Sequence, residues 1–331
     1  MNNTKFIIVG SGNIANTYIS AIDNIEGAEL AGIVSRSLKR PSALKEENIQ
    51  VAESLSKLSA AFDAVIICTP NGLHHTVAIE AASLGKHVLT EKPLDITIPA
   101  MDEMINACRE ANVKLGVAYQ RRMSGDNQLV KRLIDENKLG KIFAADLSVK
   151  NYRDDNYYNS SQYRGTWSID GGGPFIQQAS HYIDLYAWYF GKPEKIISRL
   201  NTYVHEIEVE DHGVAICMHK NGMTGTITAS TACKPGFPAK LEIHSDKGTV
   251  IMENDNIIFW SIGGMDNPSG QKSVNQHVGA ATHLVNDTTN HEKIIKDFIE
   301  AIKEDKIPFV DGEAGKIATE IILEIYKNRI A

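Results

Sequence analysis

Two side chains in this sequence are of types that can carry a proton, a lysine at the end of an apolar run and a histidine on a helical pattern. Lys92 directly follows an apolar run, with Glu91 before it and Pro93 after it. A strand-end lysine ordinarily reaches for water, but proline fixes the backbone of the turn, so the position of this one is controlled. His181 lies in GGGPFIQQASHYIDLY, residues 171–186, on a helical pattern. Ile176, Ser180, Ile183, Ala187 and Phe190 share one narrow face of that pattern, suited to packing. Gln177, His181 and Asp184 fall together on the neighbouring face at i, i+4 and i+7. An imidazole titrates in the physiological range. The trio also fits a satisfied polar patch on an ordinary helix, and periodicity alone leaves that open. The glycines ahead of it leave room at the helix N-terminus.

The segment upstream, VKNYRDDNYYNSSQYRGTWSID, carries Lys150, Tyr152, Arg153, Tyr157, Tyr158, Arg164 and Trp167. Rings can stack on the C–H faces of a polyol, and an arginine can fork onto a carboxylate or phosphate. Core or interface packing is the ordinary use of such tyrosines. Near the N-terminus, Gly10-Ser11-Gly12-Asn13-Ile14-Ala15 fits G-x-G-x-x-A, between an apolar run and a helical pattern. Gly10 permits a tight turn, Gly12 lets the backbone approach a pyrophosphate at the helix N-terminus, and Ala15 keeps the helix close to its sheet. A carboxylate is expected about 20 residues on to hold the ribose diol. Ser35-Arg36-Ser37 stands there instead, which favours NADP over NAD, because the arginine can pair with a 2′-phosphate.

These groups need a scaffold, and the apolar pattern supplies one. Short apolar runs at 5–10, 29–35, 64–70, 87–93 and 114–120 alternate with helical patterns near 13–24, 74–84 and 97–111. Strands apolar on both faces and separated by helices imply a parallel sheet covered on both sides. Ligands of such sheets bind at the carboxyl ends of strands, where Thr69-Pro70-Asn71 and Glu91-Lys92-Pro93 fall. From about residue 140 the rhythm becomes alternating runs with hairpin signals in HKNGMT and SDKGT. Two helical patterns near 290–304 and 313–328 are expected to flank this second sheet. The expected division is 1–121, an α/β doubly wound domain, and 122–331, an α+β domain with an open, mostly antiparallel sheet. Net charge is −7 over 331 residues, which disfavours nucleic acid and anionic membrane as partners. No apolar run approaches the roughly 20 residues of a membrane span. Cys68, Cys108, Cys217 and Cys233 are widely spaced, as in reduced cytoplasmic proteins. His74 and His75 are adjacent but lack a third partner at metal-ligand spacing, so no metal is expected.

The pieces GSGNIA, TPNGLH, GKHVLTEKP, YQRR, KLGKI, GGGPFIQQASHYIDL and HEKIIKDFIEAIKEDKIPFVDGEAG occur in order across nearly the whole chain. In this the sequence resembles the glucose–fructose oxidoreductase / inositol dehydrogenase / MocA family. The resemblance implies a Rossmann domain, and hydride transfer between a nicotinamide cofactor and a secondary hydroxyl or ketone of a sugar, cyclitol or sugar-nucleotide derivative. Lys92 then matches the lysine that hydrogen-bonds the reacting oxygen, and His181 the family's histidine. Pro70, Asn71, His74 and Glu91 match positions near the nicotinamide or its ribose. Gln120 and Arg122 match the loop leading towards the substrate. Many members carry Asp where this chain has Gln177, an amide that cannot titrate. The R-G-T-W…D-G-G-G segment looks most like members acting on sugars or nucleotide-linked sugar acids, although those usually carry Asn at that position. The resemblance also admits an NAD-dependent glycosidase with transient redox, or a cofactor-binding sensor. The open sheet is expected to pair copies of the chain into a homodimer or homotetramer.

Overall fold

The computed structural model describes residues 3–269 and 287–330, so part of the expected second domain lies outside the described residues. The chain begins with β1 (Thr4–Val9), α1 (Asn13–Asp23), β2 (Ala28–Val34), β3 (Gln50–Ala52) and β4 (Ala64–Ile67). It continues through α2 (His74–Ser83), β5 (His87–Thr90), α3 (Ile98–Glu110) and β6 (Leu115–Val117). These strands pair in parallel in the order β3-β2-β1-β4-β5-β6, the doubly wound order of a Rossmann domain. They are strands buried on both faces: Phe6, Ile7, Ile8, Val65 and Ile66 are all 0% exposed. At the end of β1, Gly10 adopts φ +120°, and a Cβ there would lie 2.5 Å from the Cys68 carbonyl oxygen. Only glycine fits that turn.

After α4 (Gly125–Asp135) come β7 (Ile142–Lys150), α5 (Asp155–Asn159), α6 (Pro174–Gln177) and α7 (Ser180–Phe190). The strands β8 (Lys195–Asn201), β9 (His212–Met218), β10 (Thr224–Ser230), β11 (Lys240–Ser245), β12 (Gly248–Glu253) and β13 (Asn256–Ile262) follow. With β7 they form a sheet of order β13-β12-β11-β7-β10-β9-β8, antiparallel except at β7–β10. One face is buried through Ala145, Leu147, Val149, Ala215, Ile227 and Ile243. The other leaves Val214, Ile216 and Phe259 at 37%, 43% and 47% exposure. Asn254 and Asp255, both at positive φ, make the β12–β13 turn, a two-residue pattern that hairpin chemistry favours.

The last helices are α8 (Thr289–Lys303) and α9 (Gly312–Lys327). The structure divides into one unit of residues 3–120 and 287–316 and a second of 121–269 and 317–330, a division that boundaries at 1–121 and 122–331 do not draw. The reason is packing. α8 lies against α1, where the His291 ring meets Tyr18 edge-on at 5.5 Å and Asn24 Nδ2 donates to Glu292 at 2.9 Å. Its apolar face, expected to flank the second sheet, instead covers the first. Among the described residues no helix is long and apolar enough to cross a membrane.

Candidate active site

In the first unit the turn after β1 delivers the chain to α1 with Gly12 as N-cap. No side chain caps that end, and no acidic residue lies in its first turn. A Cβ on Gly12 would have nothing within 4 Å. Unsatisfied backbone N–H groups, a positive helix end and open space together fit an anion such as a pyrophosphate. Asn13 and Ile14 contribute the first N–H groups of this helix. At the end of β2, Ser35 is 5% exposed and its hydroxyl lies 3.0 Å from Ser11 Oγ and 3.4 Å from Ser37 Oγ. Arg36 beside it is exposed.

The ends of β4 and β5 are tied together. Tyr18 donates to Glu91 Oε1 at 2.8 Å, and Glu91 Oε2 accepts from the Lys92 amide at 3.1 Å. Burial, then the Glu91 carboxylate, hold both Tyr18 and Cys68 well above their ordinary pKa. Lys92 itself is half-buried. Pro70 leads into a short turn, Asn71–Leu73. Thr69 Oγ1 and Gln120 Oε1 are buried and accept or donate no hydrogen bond. Such orphaned atoms cost free energy unless a ligand or water meets them, so their presence at strand ends also fits a bound cofactor. His74 is different. It is 1% exposed, and its Nδ1 and Nε2 lie 2.9 and 3.0 Å from the carbonyl oxygens of Pro93 and Thr69. Its ring braces the two strand-end loops expected near the nicotinamide, since both nitrogens are taken by main chain.

In the second unit the expected single helix is two. The Ala179 amide reaches back five residues to the Pro174 carbonyl at 2.8 Å, and this wide turn ends α6 before α7 begins. Gln177 therefore closes one helix, its Nε2 donating to the Asp170 carbonyl at 2.8 Å, while His181 opens the next, half-buried. The structure corrects the expectation for Arg122. Its Nε and Nη2 donate to the two carboxylate oxygens of Asp184 at 2.8 and 2.6 Å, and both side chains are buried. A forked pair of this kind leaves little of the guanidinium for a substrate. Burial pushes Asp184 up to about 6, although Arg122 holds it down. The room expected at the glycines is also filled: a Cβ on Gly172 would lie 2.2 Å from Tyr326 Oη, and one on Gly173 1.8 Å from the Glu210 carbonyl oxygen.

Arg164 lies 4.2 Å over the Tyr157 ring and lines a cleft with Tyr158, Thr166, His205, Glu206 and Glu208. Trp167 and Tyr152 each have a partner within the protein. The indole Nε1 donates to the Glu208 carbonyl at 3.1 Å and the ring meets Tyr326 edge-on, while Lys234 Nζ sits 4.8 Å over Tyr152. Sequence reasoning missed Tyr18 and Glu210. Tyr18 could have been noticed as a polar-tipped ring on the apolar face of α1. Glu210, in EVEDH, gave no signal, because nothing local distinguishes a buried carboxylate from a solvated one.

A family model described as "Oxidoreductase family, NAD-binding Rossmann fold" matches residues 4–119, and one described as "GFO/IDH/MocA C-terminal domain" matches 127–251. The chain is similar to the WlbA dehydrogenase of Bordetella pertussis, solved in complex with NADH and UDP-GlcNAcA. The two are 31% identical with a TM-score of 0.86, covering 99% of this chain and 96% of that one. It is 30% identical over 197 residues to oxidoreductase P35 of Formosa agariphila, a match spanning 57% of this chain and 61% of that protein's length. It is 26% identical over 255 residues to the scyllo-inositol 2-dehydrogenase (NADP(+)) of Bacillus subtilis, covering 75% of this chain and 76% of that one.

Proposed function

Because the chain belongs to the Gfo/Idh/MocA oxidoreductase family, we propose that it is an NAD(P)-dependent dehydrogenase acting on a secondary hydroxyl or ketone of a nucleotide-linked sugar acid. The observation that carries the substrate class is the full-length likeness to the WlbA dehydrogenase holding UDP-GlcNAcA. The bound nicotinamide supplies the hydride acceptor or donor. The rest falls to this chain. Gly10, Gly12, Asn13 and Ile14 seat the pyrophosphate at the uncapped end of α1. Lys92, held beside Glu91, donates to the reacting oxygen and stabilises charge as it becomes an alkoxide. His181 takes or returns the proton, and Gln177 positions the substrate, because its amide cannot titrate.

Arg36 favours NADP, since it is exposed beside Ser35 with no carboxylate at the end of β2 to repel a 2′-phosphate. The open face of the second sheet is assigned to another copy of the chain, in a dimer or tetramer. The test is absorbance at 340 nm with NAD and NADP against a panel of UDP-sugar acids, free sugars and cyclitols. Turnover with a UDP-linked sugar acid and a preference for NADP are expected. Turnover with free cyclitols only would sink the substrate class, and equal use of both cofactors would sink the role of Arg36.

A further inference from the structure

Glu210 has no part in the chemistry above, yet it is 4% exposed and meets the chain where the helix of Gln177 starts, one turn ahead of the helix that carries His181. Its Oε2 accepts from the Gly173 amide at 3.1 Å, and its Oε1 accepts from the Phe175 amide at 3.4 Å and from Tyr326 Oη at 3.0 Å. Tyr326 in turn meets the Trp167 and Phe175 rings edge-on, at 5.1 and 6.3 Å. The segment Gly172-Gly173 is threaded against these two residues, and any side chain there would strike Tyr326 or the Glu210 backbone. A carboxylate left in apolar surroundings is costly unless its acceptors are met, and here donors from two chain segments meet them.

We infer that Glu210 is a positioning residue: with Tyr326 it fixes the turn from which α6 runs, and so sets where Gln177 is held and, through the Ala179 turn that follows, where α7 carries His181. The inference rests on the reading that those two side chains meet the substrate. Glycine-rich turns have many conformations open to them, and two backbone amides anchored on one carboxylate select one. A displacement of about 1 Å in a catalytic group can cost on the order of a hundredfold in rate, so a released turn is expected to show in turnover.

The test compares Glu210→Gln and Tyr326→Phe with the native chain. The expected result is a fall in kcat of about tenfold or more for Glu210→Gln, with a smaller fall in the same direction for Tyr326→Phe. The KM for the cofactor is expected to stay within about twofold, since its seat lies in the other unit. Hydrogen exchange at the Gly173 and Phe175 amides, read without substrate, is expected to accelerate in both variants. Unchanged exchange at those amides, or an unchanged kcat in a folded Glu210→Gln, would overturn the inference. If Glu210→Gln does not fold, the same two readouts on Tyr326→Phe decide it. A native chain inactive on every substrate, with exchange still accelerated in the variants, would remove the proposed function and leave the hold of Glu210 on the turn supported.

Discussion

Two glycine-rich turns, each leading into a helix, solve opposite problems in this molecule. At Gly10–Ala15 the second glycine leaves space open: Gly10 is pressed against the Cys68 carbonyl, but Gly12 has nothing within 4 Å of where a Cβ would be, and α1 begins uncapped. At Gly171–Gly173 the glycines let protein in, with Tyr326 and Glu210 filling the space that side chains would occupy. The first turn presents an uncapped helix N-terminus, suited to an anion. The second is a packed joint that fixes direction. Gly12 leaves its space open, as a ligand seat requires, whereas Gly172 and Gly173 give theirs to the chain itself.

The comparison is most sharply tested at Gly173. A Cβ there would lie 1.8 Å from a backbone oxygen, and backbone cannot rotate aside. Gly173→Ala is expected to cost on the order of 4 kcal/mol or more, read by chemical denaturation or as loss of soluble protein. A variant with native stability would mean the joint is loose. Next in size is Lys92→Met, which separates binding at the first turn from chemistry. Turnover is expected to fall about a hundredfold to a thousandfold, while cofactor affinity measured by calorimetry stays within about twofold. Gly12→Ala follows. Its fold should survive with about 1 kcal/mol lost at most, but cofactor should bind about tenfold more weakly, because the methyl group occupies the approach to the pyrophosphate. Undiminished binding would show that the turn at Gly12 is not the cofactor seat.

The smallest effect is electrostatic. Burial pushes Glu210 up to about 7, against hydrogen bonds from the Gly173 and Phe175 amides and Tyr326. The titratable groups facing it are Tyr326 on α9 and Tyr158 on α5, both raised in pKa chiefly by burial and further by Glu210. A folded pKa above the unfolded value means that the native state holds this proton more tightly. The contribution to stability is therefore full below about pH 4.5 and is lost as pH rises through about 7. Between pH 5 and 8 the native chain should lose about 2–4 °C more in Tm than Glu210→Gln, which has no such proton. Parallel curves for the two proteins would remove Glu210 from that titration.

What the sequence determined by itself was the local layer of this protein. Apolar runs and helical periods gave the alternating first unit, the meandering second sheet and the seat of the glycine motif, since burial of one face or two is written into spacing. Motifs singled out Lys92 and His181, whose chemistry stands as proposed. Tertiary structure alone decided the partners. Arg122 turns to Asp184, 62 residues away; His74 braces carbonyls at Thr69 and Pro93; α8 covers α1; and a wide turn at Ala179 splits the helix on which Gln177 and His181 had seemed to share a face. Glu210 is the clearest case. A carboxylate in a sequence is the same whether water or three protein donors surround it, and only the packing of distant segments settles which.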